Sequence, residues 1–338
     1  MVKDKIKVGK LELKNRIVKA PIQSNTCILG KVTQNTISHY NDRTKGGRFG
    51  LVIVEHSFVR YDGMAGPSQM SASHDSDIEG LKRLLDLIHQ NGSTAILQLS
   101  HAGCGAQRCC TGATPISASN LSIMCGLPNG QVNPETPKPM TKDDILAIEE
   151  CFFYAAGRAM KAGFDGIEIH SAHGYLLNQF FSPITNRRTD EYNGQTLEGR
   201  IKFHKEIIYG TRQIIGNNAI LALRIGGCDY IPGGTTIEDT VQAAKVFEKL
   251  GVDLLDISGG LCSFVRPNHP EPGYFSEISE AVKKAVRIPV LLTGGVKTIE
   301  DAEQLLFENK ADMIGVGRVI TKDARWGAEL SRFPELLQ

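Results

Sequence analysis

The chain has 338 residues and a formal net charge of +1, and 41% of its residues are hydrophobic and 22% charged. The length suits one large α/β barrel or two ordinary domains, and the composition is that of a globular protein. The near-neutral charge argues against broad binding to nucleic acid or to an anionic membrane. No apolar run approaches the roughly 20 residues of a membrane span, and the N-terminus lacks the apolar core of a signal peptide.

Apolar and β-branched runs predict eight strands along the chain. They are Arg16–Ile22, Phe49–Val59, Ser93–Ser100, Asp165–Ala172, Ala219–Gly227, Val252–Gly260, Ile288–Val296 and Ala311–Val319. Amphipathic stretches predict helices between most of them, for example Ile78–Gln90, Lys142–Ala162, Leu197–Ile214, Thr236–Leu250 and Phe275–Ala285. Such alternation predicts a parallel sheet, and eight units suit an α/β fold of the (β/α)8 or TIM barrel type, with residues 1–338 as a single domain. A doubly wound sheet is disfavoured, because polar residues end many strands instead of meeting at one switch point.

Local signals mark the ends of several predicted helices. Thr141, followed by Asp144 and an apolar run, is typical of a capped helix start. Gly92, Gly163 and Gly251 stand just past helix ends, where glycine commonly adopts a left-handed backbone.

The connection 101–140 is unusually long for a compact domain and is rich in Gly, Pro, Ser, Asn and Cys. Loops of this length are often lids or binding loops, so we expect it to cover the catalytic face. A tolerated surface insertion is the alternative, because long loops add little entropic cost.

The eight cysteines are thinly spread, so we expect free thiols, no disulfide framework and a reducing, cytoplasmic location. Four of them fall in the long connection, at Cys104, Cys109, Cys110 and Cys125. Their spacing matches no common zinc or iron–sulfur pattern, so we expect no metal there.

Polar residues recur near the C-terminal ends of the predicted strands, on the face that points into the barrel. This set shares the parity of His170 and comprises Gln98, Ser100, Glu168, His170, Arg224, Asp256 and Ser258. Burying so many polar groups costs free energy unless they pair or bind something, so a polar ligand is expected at the top of the barrel.

The last two strands end in the glycine pairs Gly294-Gly295 and Gly315-x-Gly317, the second followed by Arg318. Glycines let backbone N–H groups approach a phosphate, and this corner of a barrel is a common phosphate site. Either pair alone is weak, because glycine also ends strands for steric reasons. No P-loop or G-x-G-x-x-G opens a helix, which disfavours a mononucleotide fold for NAD or ATP.

The fourth strand ends in His170, His173 and Tyr175. The H-x2-H spacing allows zinc, but no third ligand stands at a persuasive position, so no metal is expected. Imidazole N–H groups also suit a carbonyl or oxyanion, and a phenol can serve as a general acid. Structural histidines and a packing tyrosine are the remaining interpretations.

Segments around these residues resemble the old yellow enzyme family of FMN-dependent ene-reductases. They are HSAHGYLLNQFFSPITNRRTDEYNG at 170–194, LKNRI at 13–17 with Ala20-Pro21, QLSHAG at 98–103, and Gly317-Arg318. The resemblance runs from about residue 5 to about residue 326. Within the family, the chain is similar to the barrel domain of bacterial 2,4-dienoyl-CoA reductase. We expect the iron–sulfur and second flavin domains of that enzyme to be absent from this chain.

The resemblance implies a tightly, non-covalently bound FMN. Its contacts would come from Ala20, Pro21, Ile22, Gln23, His56, Gln98, Arg224, Gly294, Gly295, Gly317 and Arg318. Gln98 would contact the pyrimidine edge of the flavin, Arg224 its N1 and O2, and the three glycines with Arg318 its phosphate. Gln23 and His56 depart from the smaller residues that relatives carry beside the flavin, which points to a substrate other than common enones.

The resemblance also implies two half-reactions. NADH or NADPH would reduce the flavin, and an activated alkene would then receive a hydride from flavin N5 and a proton from Tyr175. His170 and His173 would bind the electron-withdrawing oxygen of the alkene. An FMN-dependent amine dehydrogenase or demethylase and a flavin-binding redox sensor are the alternatives, and a homo-oligomer stays open.

Overall fold

The computed structural model of the chain describes residues 1–121, 135–266 and 268–331. Eight parallel strands close into a barrel, in which the eighth strand pairs with the first. The strands are β1 (Ile17–Lys19), β2 (Leu51–Phe58), β3 (Thr94–Ser100), β4 (Gly166–Ser171), β5 (Ile220–Gly226), β6 (Leu254–Ser258), β7 (Val290–Thr293) and β8 (Met313–Val316). Each lies inside a run predicted from the sequence. The predicted (β/α)8 barrel is therefore confirmed, and closure excludes the doubly wound sheet.

Helices surround the barrel and follow most of its strands. They are α1 (Gln34–Thr44), α2 (Ile78–Gln90), α3 (Arg108–Thr111), α4 (Lys142–Ala162), α5 (Leu176–Phe181), α6 (Leu197–Ile215), α7 (Ile237–Lys249), α8 (Ser276–Lys283), α9 (Ile299–Phe307) and α10 (Arg318–Lys322). The bounds of α2 and α4 agree with the predicted ones. Two further pairs of short strands lie outside the barrel, Ile6–Val8 with Leu11–Leu13 and Ile116–Ser117 with Lys138–Pro139.

The predicted helix ends are present in the structure. The Thr141 hydroxyl accepts a hydrogen bond from the Asp144 amide at 3.1 Å, and the Asp144 carboxylate accepts one from the Thr141 amide at 2.8 Å. Gly92, Gly163 and Gly251 have φ of +82°, +95° and +95°, so all three adopt the left-handed backbone expected after a helix.

Two hydrophobic clusters divide the core and decide where the polar side chains go. Ile167 and Ile169 belong to the outer cluster between strands and helices, which confirms the parity assigned to β4. The inner cluster fills the lumen near the N-terminal ends of the strands, where the N-terminal hairpin adds Val8 and Leu13. Because apolar side chains occupy that end, the polar lumen residues lie at the C-terminal end.

The cysteines do not all behave as predicted. Cys104 is buried and forms a disulfide bond, whereas Cys27, Cys109, Cys110, Cys151, Cys228 and Cys262 are free. Cys125 lies outside the described residues. The expectation of free thiols throughout was wrong for Cys104, because a low density of cysteines over a chain does not prevent two of them from meeting in space. The cysteines therefore no longer support a reducing compartment.

Within the described residues, no helix has the length and apolar character that crossing a membrane requires.

Candidate active site

A cavity of about 830 Å³ opens at the C-terminal end of the barrel. Every site residue predicted from the sequence lines it. These are Ala20, Pro21, Ile22, Gln23, His56, Gln98, His170, His173, Tyr175, Arg224, Gly294, Gly295, Gly317 and Arg318. The segments that carry them lie far apart in sequence and converge because the C-terminal ends of parallel strands share one end of the barrel.

One side of this cavity is formed by aromatic and imidazole rings, and we call it the histidine corner: His56, His170, His173 and Tyr175. The centroid of the His170 ring lies 5.1 Å from that of His173 and 5.1 Å from that of Tyr175. His173 has a left-handed backbone with φ of 60°, and its amide donates to the Gly259 carbonyl at 3.1 Å. This turn between β4 and α5 brings His173 and Tyr175 back beside His170.

A hydrogen-bonded chain supports His173 from the neighbouring strands. His173 Nε2 lies 2.8 Å from Ser258 Oγ, and Arg224 Nη2 donates to the same oxygen at 3.3 Å. Arg224 Nε lies 3.2 Å from Asp256 Oδ2 and forms a buried ion pair. Thr293 donates to the other Asp256 oxygen at 2.7 Å. The strand-end residues of β4 to β7 are thus linked to one another.

Burial sets the protonation of the histidine corner. It lowers the pKa of His170 and of His173 well below the ordinary value, and for each of them nearby Arg224 lowers it further. Burial raises the pKa of Tyr175 to about 12. At neutral pH both imidazoles are therefore uncharged and the phenol keeps its proton. The arrangement provides N–H donors for an oxygen and, next to them, a group that can release a proton.

The opposite side of the cavity, which we call the phosphate corner, consists of Gly294, Gly295, Gly317 and Arg318. A Cβ atom at Gly295 would lie 2.6 Å from the Tyr274 ring, and one at Gly317 would lie 2.6 Å from Ile22 Cδ1. At Gly295, where φ is +74°, packing against the Tyr274 ring requires glycine, whereas at Gly317 the terminal methyl of Ile22 can move aside. The steric interpretation left open by the sequence therefore holds for Gly295. Because glycine has no side chain, the backbone at these positions is also left uncovered.

Arg318 is the charged residue of the phosphate corner. Its Nη2 donates to Tyr274 Oη at 2.7 Å, and Tyr274 Oη donates in turn to the Phe264 carbonyl at 2.6 Å. The Phe264 ring lies 5.9 Å from the Arg318 guanidinium and 6.0 Å from the His173 ring. Phe264 therefore contacts both corners of the cavity.

Comparison with known proteins identifies this arrangement. The profile of the NADH:flavin oxidoreductase / NADH oxidase family matches residues 4–332. The chain belongs to this family. An NADH oxidase of Thermoanaerobacter brockii is 35% identical over 327 residues, which are 95% of this chain but 49% of that protein. The chain thus spans about half the length of that curated relative.

Shorter relatives match over most of their length. An NADPH dehydrogenase of Bacillus cytotoxicus is 36% identical over 320 residues, 94% of this chain and 88% of that protein. The old yellow enzyme homologue of Zymomonas mobilis superposes with a TM-score of 0.82 at 26% identity, covering 96% of this chain and 90% of that one. The resemblance to the old yellow enzyme family is confirmed. The family consists of FMN-binding oxidoreductases that take electrons from NADH or NADPH.

The polar atoms of the lumen fit the FMN of this family. Gln98 Nε2 donates to Glu168 Oε1 at 2.6 Å, which turns the amide nitrogen toward the barrel interior. Burial, and then the charge of Asp256, raises the pKa of Glu168 well above its ordinary value. Within the described residues, His170 Nδ1 is buried and has no hydrogen-bond partner. Such an atom indicates a polar ligand, and the cavity is large enough for a flavin nucleotide.

Gln98 and Arg224 would then hold the polar edge of the flavin, and the phosphate corner would hold its phosphate. No group of three or more His, Cys, Asp or Glu side chains in the described ranges is arranged to hold a metal ion. Gln107, in the connection 101–140, also lines the cavity. That this connection covers the catalytic face stays a prediction.

Sequence reasoning missed the residues that support the two corners. Gln69 lies in the connection after β2, and Phe264 and Tyr274 lie in the connection after β6. None stands in a recognisable motif, because each acts through contacts made across the barrel end. His56, which the resemblance assigned to the flavin, lies against His170 and Tyr175, with ring centroids 6.2 Å and 5.6 Å away. Its contact with the flavin stays a prediction.

Proposed function

We propose that this protein uses NADH or NADPH to reduce the carbon–carbon double bond of an activated alkene, with FMN as the electron carrier. The observation that carries the proposal is the histidine corner, where the ring centroids of neutral His173 and protonated Tyr175 each lie 5.1 Å from that of neutral His170. When bound, FMN supplies the two-electron chemistry, accepting hydride from the nicotinamide and passing hydride to the substrate.

In this proposal His170 and His173 bind the oxygen of the group that activates the alkene. Their N–H groups stabilise the negative charge that develops on that oxygen, and since they are neutral they compete less with the phenol as proton donors. Ser258 and Arg224 hold His173 in position. Tyr175 gives its proton to the carbon next to the activating group. Because its pKa is raised to about 12, Tyr175 retains its proton until the acceptor carbon becomes basic.

The test is the Tyr175→Phe variant, with the two half-reactions measured separately by anaerobic rapid mixing. We expect the rate at which 2-cyclohexenone reoxidises the reduced enzyme to fall roughly 100-fold, because a general acid contributes on that order. Reduction by NADPH should change less than about threefold, since it requires no proton from Tyr175.

The wild-type protein provides the control. If neither 2-cyclohexenone nor any other activated alkene reoxidises the reduced wild type, alkene reduction is the wrong reaction. If Tyr175→Phe slows both half-reactions equally, the phenol positions ligands and is not the proton donor.

A further inference from the structure

His56 lines the cavity but has no role in the proposed reaction as described so far. It stands on β2, and its ring lies beside the rings of both His170 and Tyr175. The ring is half-buried and lines the cavity. Its accessible part therefore faces the reactants, beside the positions proposed for the activating oxygen and for the carbon that receives the proton.

The hydrogen bonds around Gln69 define which His56 nitrogen carries the proton. The Ala65 amide donates to Gln69 Oε1 at 2.7 Å, so this atom of the side chain must be the carbonyl oxygen. The other end is then the NH₂ group, and it lies 2.7 Å from His56 Nδ1 and 3.1 Å from the His56 carbonyl oxygen. Since an NH₂ group donates, Nδ1 must accept, and in a neutral ring the proton is on Nε2.

The His56 ring is neutral because burial, and then the charge of Arg224, lowers its pKa to about 4. Nδ1 is engaged by Gln69, and Nε2 lies on the other side of the ring. His56 thus presents an uncharged N–H donor to the space in which His170 and Tyr175 would act.

We infer that His56 is a third hydrogen-bond donor to the substrate, and that it favours alkenes whose activating group carries two oxygens, such as nitroalkenes. This inference rests on the proposed function. His170 and His173 together serve one oxygen. A single-oxygen enone offers no second oxygen to a further donor, whereas an activating group with two oxygens does. Sites built to hydrogen-bond a substrate group discriminate against analogues that lack it.

The test compares 1-nitrocyclohexene with 2-cyclohexenone, two six-membered rings that differ in the number of activating oxygens. The readout is the ratio of their reoxidation rates with the reduced, FMN-loaded protein. In His56→Ala we expect this ratio to fall roughly tenfold relative to wild type, the usual scale for the loss of one hydrogen bond. His56→Gln, which restores a neutral N–H donor, should recover at least half of the loss on a logarithmic scale.

A binding measurement provides a readout without turnover. Nitrocyclohexane and cyclohexanone, the saturated counterparts, are titrated into oxidised protein while flavin absorbance is followed. His56→Ala should weaken binding of the nitro compound by the larger factor. His269→Ala is the matched control, because His269 also lines the cavity but is paired with Glu271 in the connection after β6. His269→Ala should leave the ratio of the two reoxidation rates and the ratio of the two dissociation constants within twofold of wild type.

Unchanged ratios in His56→Ala, measured with FMN-loaded protein, would overturn the inference. So would equal losses for both compounds, which would make His56 a structural residue. These outcomes differ from failure of the proposed function, in which the wild type itself is not reoxidised by either alkene. If His56→Ala does not retain FMN, His56→Gln and His56→Phe are compared with wild type instead. The ratio of reoxidation rates should then fall roughly tenfold in His56→Phe, which has no donor.

Discussion

The two corners of the cavity are built in different ways. The histidine corner consists of buried and half-buried side chains whose pKa values are displaced by desolvation, and hydrogen bonds fix the rings of His56 and His173. The phosphate corner consists of backbone, shaped by glycines that pack under Tyr274 and Ile22, together with the exposed Arg318. The first arrangement suits charge that appears during a reaction, and the second suits a charge that is always present. Substitutions in the first should change rates, and those in the second should change FMN affinity.

The largest expected effect comes from removing one hydrogen-bond donor of the histidine corner, and it distinguishes the roles of the two corners. In His170→Ala we expect the rate of reoxidation by 2-cyclohexenone to fall roughly 100-fold, because loss of one donor to a developing oxyanion costs on that order. The dissociation constant of FMN, measured by fluorescence after reconstitution, should change less than threefold. Anaerobic rapid mixing provides the rate.

His170→Asn is the matched control, because its amide can still donate. It should be at least several times faster than His170→Ala. If His170→Ala lost FMN affinity as much as rate, the histidine corner would be part of the cofactor site and the contrast between the corners would disappear.

The histidine corner was the more predictable of the two, for a physical reason. His170, His173 and Tyr175 lie within six residues of one another at a strand end, so one segment carries the motif and barrel geometry fixes its direction. The glycines of β7 and β8 were also found, but contacts invisible in the sequence decide their meaning. Tyr274, twenty residues before Gly294, fills the space beside Gly294 and Gly295.

The same limit explains the other differences. The tautomer of His56 depends on Gln69, which lies in a connection without a recognisable motif. The disulfide of Cys104 depends on a meeting in space that cysteine spacing does not reveal. Strand periodicity, in contrast, is a local property, and all eight barrel strands were located from it.

A smaller effect is expected in the phosphate corner. In Arg318→Met the dissociation constant of FMN should rise roughly tenfold, because a charged hydrogen bond to phosphate is lost from an exposed position. The reoxidation rate of the FMN-saturated protein should stay within twofold of wild type. Equilibrium titration of FMN at fixed ionic strength measures the affinity.

Arg287→Met is the control for this substitution, since Arg287 is an exposed arginine just before β7, at the other end of the barrel. It should leave FMN affinity unchanged. Equal weakening in both variants would mean that overall charge, and not a contact in the phosphate corner, attracts the nucleotide. A slower reoxidation rate in FMN-saturated Arg318→Met would instead show that the two corners are coupled. Phe264 could couple them, because its ring lies near both the Arg318 guanidinium and the His173 ring.

The smallest expected change in rate comes from pH, and it distinguishes the corners without a mutation. The pKa values of His56, His170 and His173 lie below the ordinary histidine value, so these rings stay neutral as the pH falls from 9 to 6 and gain protons only in more acid solution. With its pKa raised to about 12, Tyr175 keeps its proton over the same range. The reoxidation rate should therefore vary less than about twofold between pH 6 and pH 9.

FMN affinity should behave differently over this range. A phosphate monoester gains its second proton near pH 6, so a site that binds the dianion loses affinity as the pH falls through about 6. Affinity should thus decline in the interval where the rate is still flat. A rate that instead follows a single ionisation near pH 6.5 would show that one imidazole of the histidine corner titrates as it does in water. In that case burial would not explain the chemistry of that corner.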